Sequence, residues 1–149
     1  MSSPLITIAI ADDNTLFRCG VTKLIEMYNG HQVKIAVPDG RSLINALTAT
    51  DNLPDICLLD INMPDMNGYE TAVFLGREMP SIKVIALSMF TDHFPVVNML
   101  NNGACAFVSK DTEPKILISV IDAVYENGYY FEGITKKHLP HGGNSLKNM

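Results

Sequence analysis

The sequence predicts an α/β protein in which a parallel five-stranded sheet lies between two layers of helices. Five short apolar runs alternate with longer segments whose apolar residues recur at the helical period, as in successive βαβ units. A parallel sheet of this kind is buried on both faces and needs apolar strands, which these runs supply. With 149 residues, 47% of them hydrophobic, the chain can bury such a core as one domain.

The first strand is predicted at residues 6–11, which are rich in isoleucine. A helix follows, because Asn14 is a suitable N-cap and the helical pattern continues until Gly30 stops it. One face of this helix carries Phe17, Val21, Leu24 and Tyr28. The second strand is predicted around residues 32–37, followed by a helix over about 42–50.

The third strand is predicted at residues 56–59, opened by Pro54 and closed by Asp60. After the loop NMPDMNG comes a helix that ends near Met79, since Pro80 cannot continue it. The fourth strand is predicted at residues 83–87.

A weak, mobile helix is predicted over residues 92–102, because Pro95 suits only a first helical turn and the segment is rich in asparagine. The fifth strand is expected at 106–108, and the last helix from Pro114 until Gly128 ends it. Its apolar stripe consists of Leu117, Val120, Ile121 and Val124. We therefore expect one domain over residues 1–131 and a linker or tail over 132–149.

Composition excludes several classes of function. A net charge of -5 and a pI near 5.2 argue against direct nucleic-acid binding, which needs clustered Lys and Arg. The three cysteines form no CxxC pair, so neither a disulfide framework nor a zinc ribbon is indicated. No apolar stretch approaches the roughly 20 residues of a membrane span. A soluble cytoplasmic protein without membrane contact is expected.

Polar side chains follow four of the five predicted strands. Asp12 and Asp13 come after the first, Asp60 after the third, Ser88 after the fourth and Lys110 after the fifth. We expect a flavodoxin-like (βα)5 three-layer sandwich with strand order 2-1-3-4-5, whose ligand crevice opens between the first and third strands. The three carboxylates should therefore converge at one edge of the sheet.

Three clustered carboxylates repel one another and raise each other's pKa unless a cation neutralises them. An all-oxygen site with room for water suits Mg²⁺, which completes its shell with phosphate oxygens. The Lys110 ammonium can neutralise a second phosphate oxygen and the Ser88 hydroxyl can hydrogen-bond a third. The set predicts a phosphoryl-transfer site with Asp60 as the nucleophile.

An acidic pair after the first strand, Asp60 before MPDMNG, Ser88 and Lys110 together resemble the receiver domain of two-component response regulators, over residues 5–130. The resemblance implies phosphorylation of Asp60, with Mg²⁺ bound beside it. It implies Asp12 and Asp13 as acidic metal-site residues, Asp13 being the direct ligand, together with Asp60 and the backbone carbonyl of Asn62. It also makes Ser88 and Phe107 the switch residues, although Phe107 alone would be taken for a core or edge aromatic.

Within that family, the stretches LSMFTDH, NNGACAFVSKDTEP and YENGYYFEG resemble the NarL/FixJ group, whose receivers usually precede a LuxR-type helix-turn-helix. The resemblance implies phosphorelay signalling, with a sensor histidine kinase as donor, a homodimer as one assembly, and control of a transcription-regulating DNA-binding domain that is absent from this chain. Such a protein is a phosphoacceptor that catalyses only its own phosphorylation and dephosphorylation, not an enzyme acting on other substrates.

Other interpretations remain open at this point. A haloacid-dehalogenase-type phosphatase also uses an aspartate nucleophile and Mg²⁺, but it carries its nucleophile after the first strand. A third hypothesis is an interaction module that uses no phosphate. Asp12 could be a helix N-cap and Lys110 a solvated lysine. Phe90 cannot orient an attacking water, which argues against rapid self-dephosphorylation, and His138 and His141 are expected to be solvated.

Overall fold

The structure, a computed structural model, describes residues 5–63, 66–89 and 98–130. Its strands are β1 (Ile6–Ala11), β2 (His31–Val37), β3 (Ile56–Asp60), β4 (Lys83–Ser88) and β5 (Ala104–Ser109). Its helices are α1 (Thr15–Glu26), α2 (Gly40–Thr48), α3 (Gly68–Glu78), α4 (described over residues 98–101) and α5 (Pro114–Asn127). None of the helices in these ranges is long and apolar enough to cross a membrane.

All strand pairs are parallel, and the order across the sheet is β2-β1-β3-β4-β5. The predicted fold class and strand order are therefore confirmed. The sequence order reverses between β1 and β3, so the carboxyl ends of these two strands flank the expected ligand crevice.

Several predicted boundaries shift. Helix α1 ends at Glu26, before the expected stop at Gly30. Helix α2 begins at Gly40, earlier than predicted, because Asp39 caps it. The Asp39 carboxylate accepts a hydrogen bond from the Ser42 N–H at 2.7 Å. This bond lowers the pKa of Asp39. Strand β5 is longer than predicted. Of the predicted weak helix, only residues 98–102 are described, and 98–101 are helical. Pro95, Phe90, His138 and His141 lie outside the described residues.

Alternate residues of β1, β3 and β4 enter two separate hydrophobic layers. One layer packs the sheet against α1 and α5 and includes Ile8, Ile10, Ile25, Leu58, Ile85, Leu117 and Ile121. The other packs the opposite face against α2, α3 and α4 and includes Ala9, Leu43, Leu47, Leu59, Leu75 and Met99. The period of two along these three strands thus builds a three-layer sandwich.

Burial on both faces holds for most of the central sheet but not for its edges. Every residue of β3 is buried, as are all but one of β1 and of β4. In β2 no residue is fully buried, and in β5 buried and half-buried residues alternate. Cys57 is the second residue of β3, where burial raises the pKa of its thiol to about 12, so it behaves as the small buried hydrophobe that was predicted.

Helix α3 begins in direct contact with the end of β3. Asn67 caps it through a capping box with Glu70, each side chain accepting a hydrogen bond from the other residue's backbone N–H. A Cβ on Gly68 would lie 2.5 Å from the backbone oxygen of Asp60 and 2.5 Å from Cα of Ile61. Glycine at this position therefore sets the distance between α3 and the loop that follows Asp60.

Gly68→Ala is expected to lower the free energy of unfolding by about 1–3 kcal/mol, because the added methyl meets backbone that cannot move without shifting β3. Gly76→Ala is the matched control in the same helix. A Cβ there meets nothing within 4 Å, so this exposed position should gain about 0.5–1 kcal/mol from better helix propensity. Urea unfolding of both variants tests the pair, and equal effects of the two substitutions would contradict the close approach at Gly68.

Candidate functional site

Three carboxylates meet at the carboxyl edge of the sheet. Asp12 and Asp13 directly follow β1, and Asp60 is the last residue of β3, so the parallel order brings them to the same edge. One oxygen from each lies within 4.8 Å of the others. Asp12 is fully buried and Asp60 is 2% exposed, whereas Asp13 is open to solvent. The edge therefore carries three clustered carboxylates, two of which are buried.

Lys110 reaches this cluster from the end of β5. Its backbone N–H donates to the Ser88 carbonyl at 2.8 Å, and its side chain is 8% exposed. The ammonium Nζ lies 2.7 Å from Oδ2 of Asp12 and 3.2 Å from Oδ2 of Asp60. Burial lowers the pKa of Lys110, but the hydrogen bond to Asp12 and the charges of Asp60 and Asp12 outweigh it, and the pKa ends above its usual value. Lys110 is thus charged and inside the site, not a solvated surface lysine.

Burial raises the pKa of Asp60 to about 6. The N–H of Asn62, which donates to Oδ1 of Asp60 at 3.1 Å, acts in the opposite direction, as does the charge of Lys110. The charge of Asp12 adds to the rise. Desolvation is therefore the largest cause, rather than the mutual repulsion on which the sequence argument relied.

The two neighbouring aspartates play different structural parts. Oδ1 of Asp12 accepts the Asn14 N–H at 2.8 Å, and Oδ2 faces Lys110. The N-cap of α1 is Asn14, whose Oδ1 accepts the Phe17 N–H, so Asp12 is not the cap. The Asp13 side chain makes no hydrogen bond or ion pair within the part of the chain that the structure describes. Asp13 is consequently the carboxylate with the most freedom to bind a cation.

Ser88 ends β4 at this edge and Asn62 lies in the loop after β3, whereas Phe107 lies within β5, two residues before its end. Ser88 is the last residue of β4, 1% exposed and opposite Ser109 in the sheet register. Phe107 lies on β5 opposite Ala86 and packs, partly buried, into the layer that contains Met99 of α4. Asn62 is exposed, two residues beyond Asp60.

The first turn of α1 contributes contacts that the sequence analysis did not assign to the site. Nη1 of Arg18 donates to the backbone oxygen of Asp12 at 2.6 Å, and the Phe17 ring lies under Nζ of Lys110, 4.9 Å from Nζ to the ring centroid. Phe17 was expected only on the apolar face of the helix. The sequence feature that could have indicated this role is the i, i+3, i+4 spacing of Asn14, Phe17 and Arg18, which places all three on the first turn next to Asp12.

Comparison with known proteins places this geometry in a family. The response regulator receiver domain matches residues 8–122. The transcriptional regulatory protein DegU of Brevibacillus brevis is 36% identical over 126 residues, 84% of this chain and 52% of DegU. The nitrate/nitrite response regulator NarL of Escherichia coli K12 is 35% identical over 115 residues, 77% of this chain and 52% of NarL. The chain thus spans about half the length of these curated relatives.

A solved structure gives the same result for the fold. The signal receiver domain of a response regulator NarL from Mycobacterium tuberculosis superposes with a TM-score of 0.78 at 25% identity, covering 84% of this chain and 99% of that domain. The superposition covers nearly all of the Mycobacterium domain, so the described fold corresponds to a whole receiver domain.

Asp60→Asn should stabilise the protein at neutral pH in the absence of divalent cations. Because the folded pKa of about 6 lies above the ordinary value of 3.8, the folded state binds this proton more tightly than the unfolded state. Below about pH 4 Asp60 is protonated in both states; between about pH 4 and 6 its ionisation on unfolding lowers stability, and above that range the loss is constant. The variant should therefore gain about 1–3 kcal/mol at pH 7.5 and almost nothing near pH 4.

Urea unfolding in EDTA across this pH range measures the difference. Asp51→Asn is the control, because Asp51 is exposed and the substitution should change stability little at any pH. A gain for Asp60→Asn that does not depend on pH would show that ionisation of the buried carboxylate is not its cause.

Proposed function

The chain belongs to the response regulator receiver domain family of two-component systems, and from that membership we propose that Asp60 accepts a phosphoryl group from a sensor histidine kinase. One observation carries the assignment. Among the clustered carboxylates, Asp60 is buried at the end of a central strand and lies within reach of both the Lys110 ammonium and the free Asp13 carboxylate. Nucleophile, compensating cation and acidic neighbours thus stand together.

In the proposed step, a carboxylate oxygen of Asp60 forms a bond to phosphorus. The bond from phosphorus to the donor's histidine nitrogen breaks, and its electron pair stays on that nitrogen. Asp60 must be ionised to attack, and with its pKa at about 6 it is ionised at neutral pH. In this proposal Lys110 then faces a phosphoryl oxygen with its ammonium, and Ser88, which follows the Leu87 that pairs with Asp60 in the sheet, offers its hydroxyl to another.

The acidic cluster fits Mg²⁺, because all its donors are oxygens and the Asp13 carboxylate is uncommitted. We assign Asp13, Asp60 and the Asn62 backbone carbonyl as ligands, with Asp12 as the neighbouring carboxylate that holds Lys110. When bound, the cation supplies positive charge beside the phosphoryl oxygens. Asp12 and Lys110, which are not assigned to the cation, form an ion pair with each other.

The output proposal concerns the face built from α4, β5 and α5. Ser88 and Phe107 are the proposed switch, since one ends β4 at the site and the other lies opposite β4 on the half-exposed edge strand. We propose that this face controls a transcription-regulating DNA-binding domain, with homodimerisation as one means; the relative DegU is named a transcriptional regulatory protein. With a net charge of -5, this domain is assigned no nucleic-acid contact of its own.

The proposed activity is signalling, with catalysis limited to the domain's own phosphorylation and dephosphorylation. Neither the phosphatase hypothesis nor the phosphate-independent interaction module gains support from the family match. The phosphatase would place its nucleophile after β1, whereas the nucleophile proposed here is Asp60, the last residue of β3.

Incubation with Mg²⁺ and acetyl phosphate should add one phosphate to the wild-type protein, detected by intact mass. Asp60→Asn should abolish this addition, because the amide is not a nucleophile for phosphorus. Asp111→Asn is the matched control: Asp111 is an exposed carboxylate next to Lys110, and its variant should be labelled like the wild type. Single-site labelling that persists in Asp60→Asn would move the nucleophile to another residue.

Mg²⁺ should raise the melting temperature, since a ligand that binds only the folded state stabilises it. Asp13→Ala should remove most of that rise by deleting the free carboxylate, whereas Asp51→Ala, at an exposed position away from the cluster, should keep it. Differential scanning calorimetry with and without Mg²⁺ measures the effect. An unchanged response in Asp13→Ala would rule out the ligand role of Asp13.

A further inference from the structure

The Lys110 ammonium contacts three groups, two carboxylates and one aromatic ring. Asp12 and Asp60 approach Nζ at 2.7 and 3.2 Å, and the ring of Phe17 lies under the same nitrogen at 4.9 Å from its centroid. A cation within about 6 Å of a ring centroid is attracted by the negative face of the ring, more strongly where water is excluded. The lysine side chain here is 8% exposed, so this contact is largely shielded from solvent.

Phe17 is itself held by the residues that hold Asp12. Asn14 donates its N–H to Oδ1 of Asp12 at 2.8 Å and accepts the Phe17 N–H on its own Oδ1 at 2.9 Å. Arg18, the next residue along the helix, donates to the Asp12 backbone oxygen. The first turn of α1 therefore fixes the Phe17 backbone and the Asp12 carboxylate relative to each other, and Lys110 contacts both side chains.

The ring also forms one wall of a pocket of about 160 Å³ between α1 and the start of α5. The pocket is lined by Val21, Leu24, Val108, Pro114 and Leu117 as well as by Phe17 and Lys110. This open space next to the lysine means that packing alone does not confine its flexible stem. The ring face and the two carboxylates supply the confinement.

We propose that Phe17 is a positioning residue for phosphorylation, whose ring face holds the Lys110 ammonium beside the Asp60 carboxylate. The inference rests on the proposed phosphoacceptor role of Asp60. Its physical basis is that phosphorylation changes the charge and shape of Asp60, and with them one of the two ion pairs. The ring contact does not depend on the charge or the shape of Asp60, so it keeps Lys110 in place before and after the phosphoryl transfer.

The test replaces Phe17 by phenylalanines carrying increasing numbers of ring fluorines, which keep shape and apolar character while weakening the negative ring face. The rate of labelling by acetyl phosphate with Mg²⁺, followed by intact mass, should fall stepwise along the series, by roughly two- to fivefold at the end. Phe17→Leu should fall at least as far, and Phe17→Tyr, which keeps the ring face, should stay near the wild-type rate. Leu24→Ala is the matched control, because Leu24 lines the same pocket from α1 but has no ring face to offer the Lys110 ammonium, and its rate should be unchanged.

A second readout does not depend on phosphate. In the wild-type protein the Lys110 methylene protons next to Nζ should show an upfield ring-current shift by NMR, and Phe17→Leu should abolish it. A flat rate across the fluorine series, an unchanged Lys110 shift in Phe17→Leu, or an equal loss of rate in Leu24→Ala would each overturn the positioning role. Absence of any label on wild-type Asp60 would instead refute the proposed function, while the Lys110 shift would still decide whether Phe17 positions the lysine.

Discussion

A charged lysine held between two buried carboxylates is the interaction on which the rest of this site depends. Asp12 and Asp60 are almost fully buried, and a buried charge without a partner is strongly destabilising. Lys110 offsets part of that penalty for both at once, and the pKa of Asp60 nevertheless stays above its ordinary value. Because the three residues end or follow β1, β3 and β5, their contact requires these strands and the intervening β4 to be in their parallel order. The electrostatic centre therefore reports on the assembly of four of the five strands.

Local chain geometry aims the two carboxylates at the lysine. Asp12 and Asp60 each accept, on Oδ1, a hydrogen bond from the backbone N–H two residues later, at 2.8 and 3.1 Å. This arrangement, common where a strand turns into a loop, ties one oxygen to the residue's own loop and leaves Oδ2 facing inward. In both cases Oδ2 is the atom nearest to Lys110. The same short turn thus occurs after β1 and after β3, once on each side of the crevice. Gly68 allows the turn after β3 to lie directly against α3.

Much of this arrangement could be predicted from the sequence, because it depends on patterns that survive without knowledge of side-chain packing. Apolar runs gave the strands, and the position of each polar residue just after a run gave the convergence at one edge. The contact between Phe17 and Lys110 could not be predicted, since it joins residues far apart in sequence and depends on how α1 rotates over the sheet. The dominance of burial in the pKa of Asp60 was missed for the same reason. The start of α2 was missed because Asp39 overrides the hydrophobic pattern by capping.

The strands around the site differ in how easily they can rearrange. Asp12 follows β1 and Asp60 ends β3, and the neighbours of these two strands on both flanks and the helices on both faces bury almost every residue. Lys110 follows β5 and Phe107 lies on it; β5 is an edge strand with alternate residues half-buried, and Phe107 is itself only partly enclosed. Moving a half-buried ring at a sheet edge breaks fewer contacts than moving a residue in a close-packed central strand. We therefore propose that a change of charge at Asp60 is transmitted through Lys110 and Ser88 towards β5 more readily than towards the tightly packed β1.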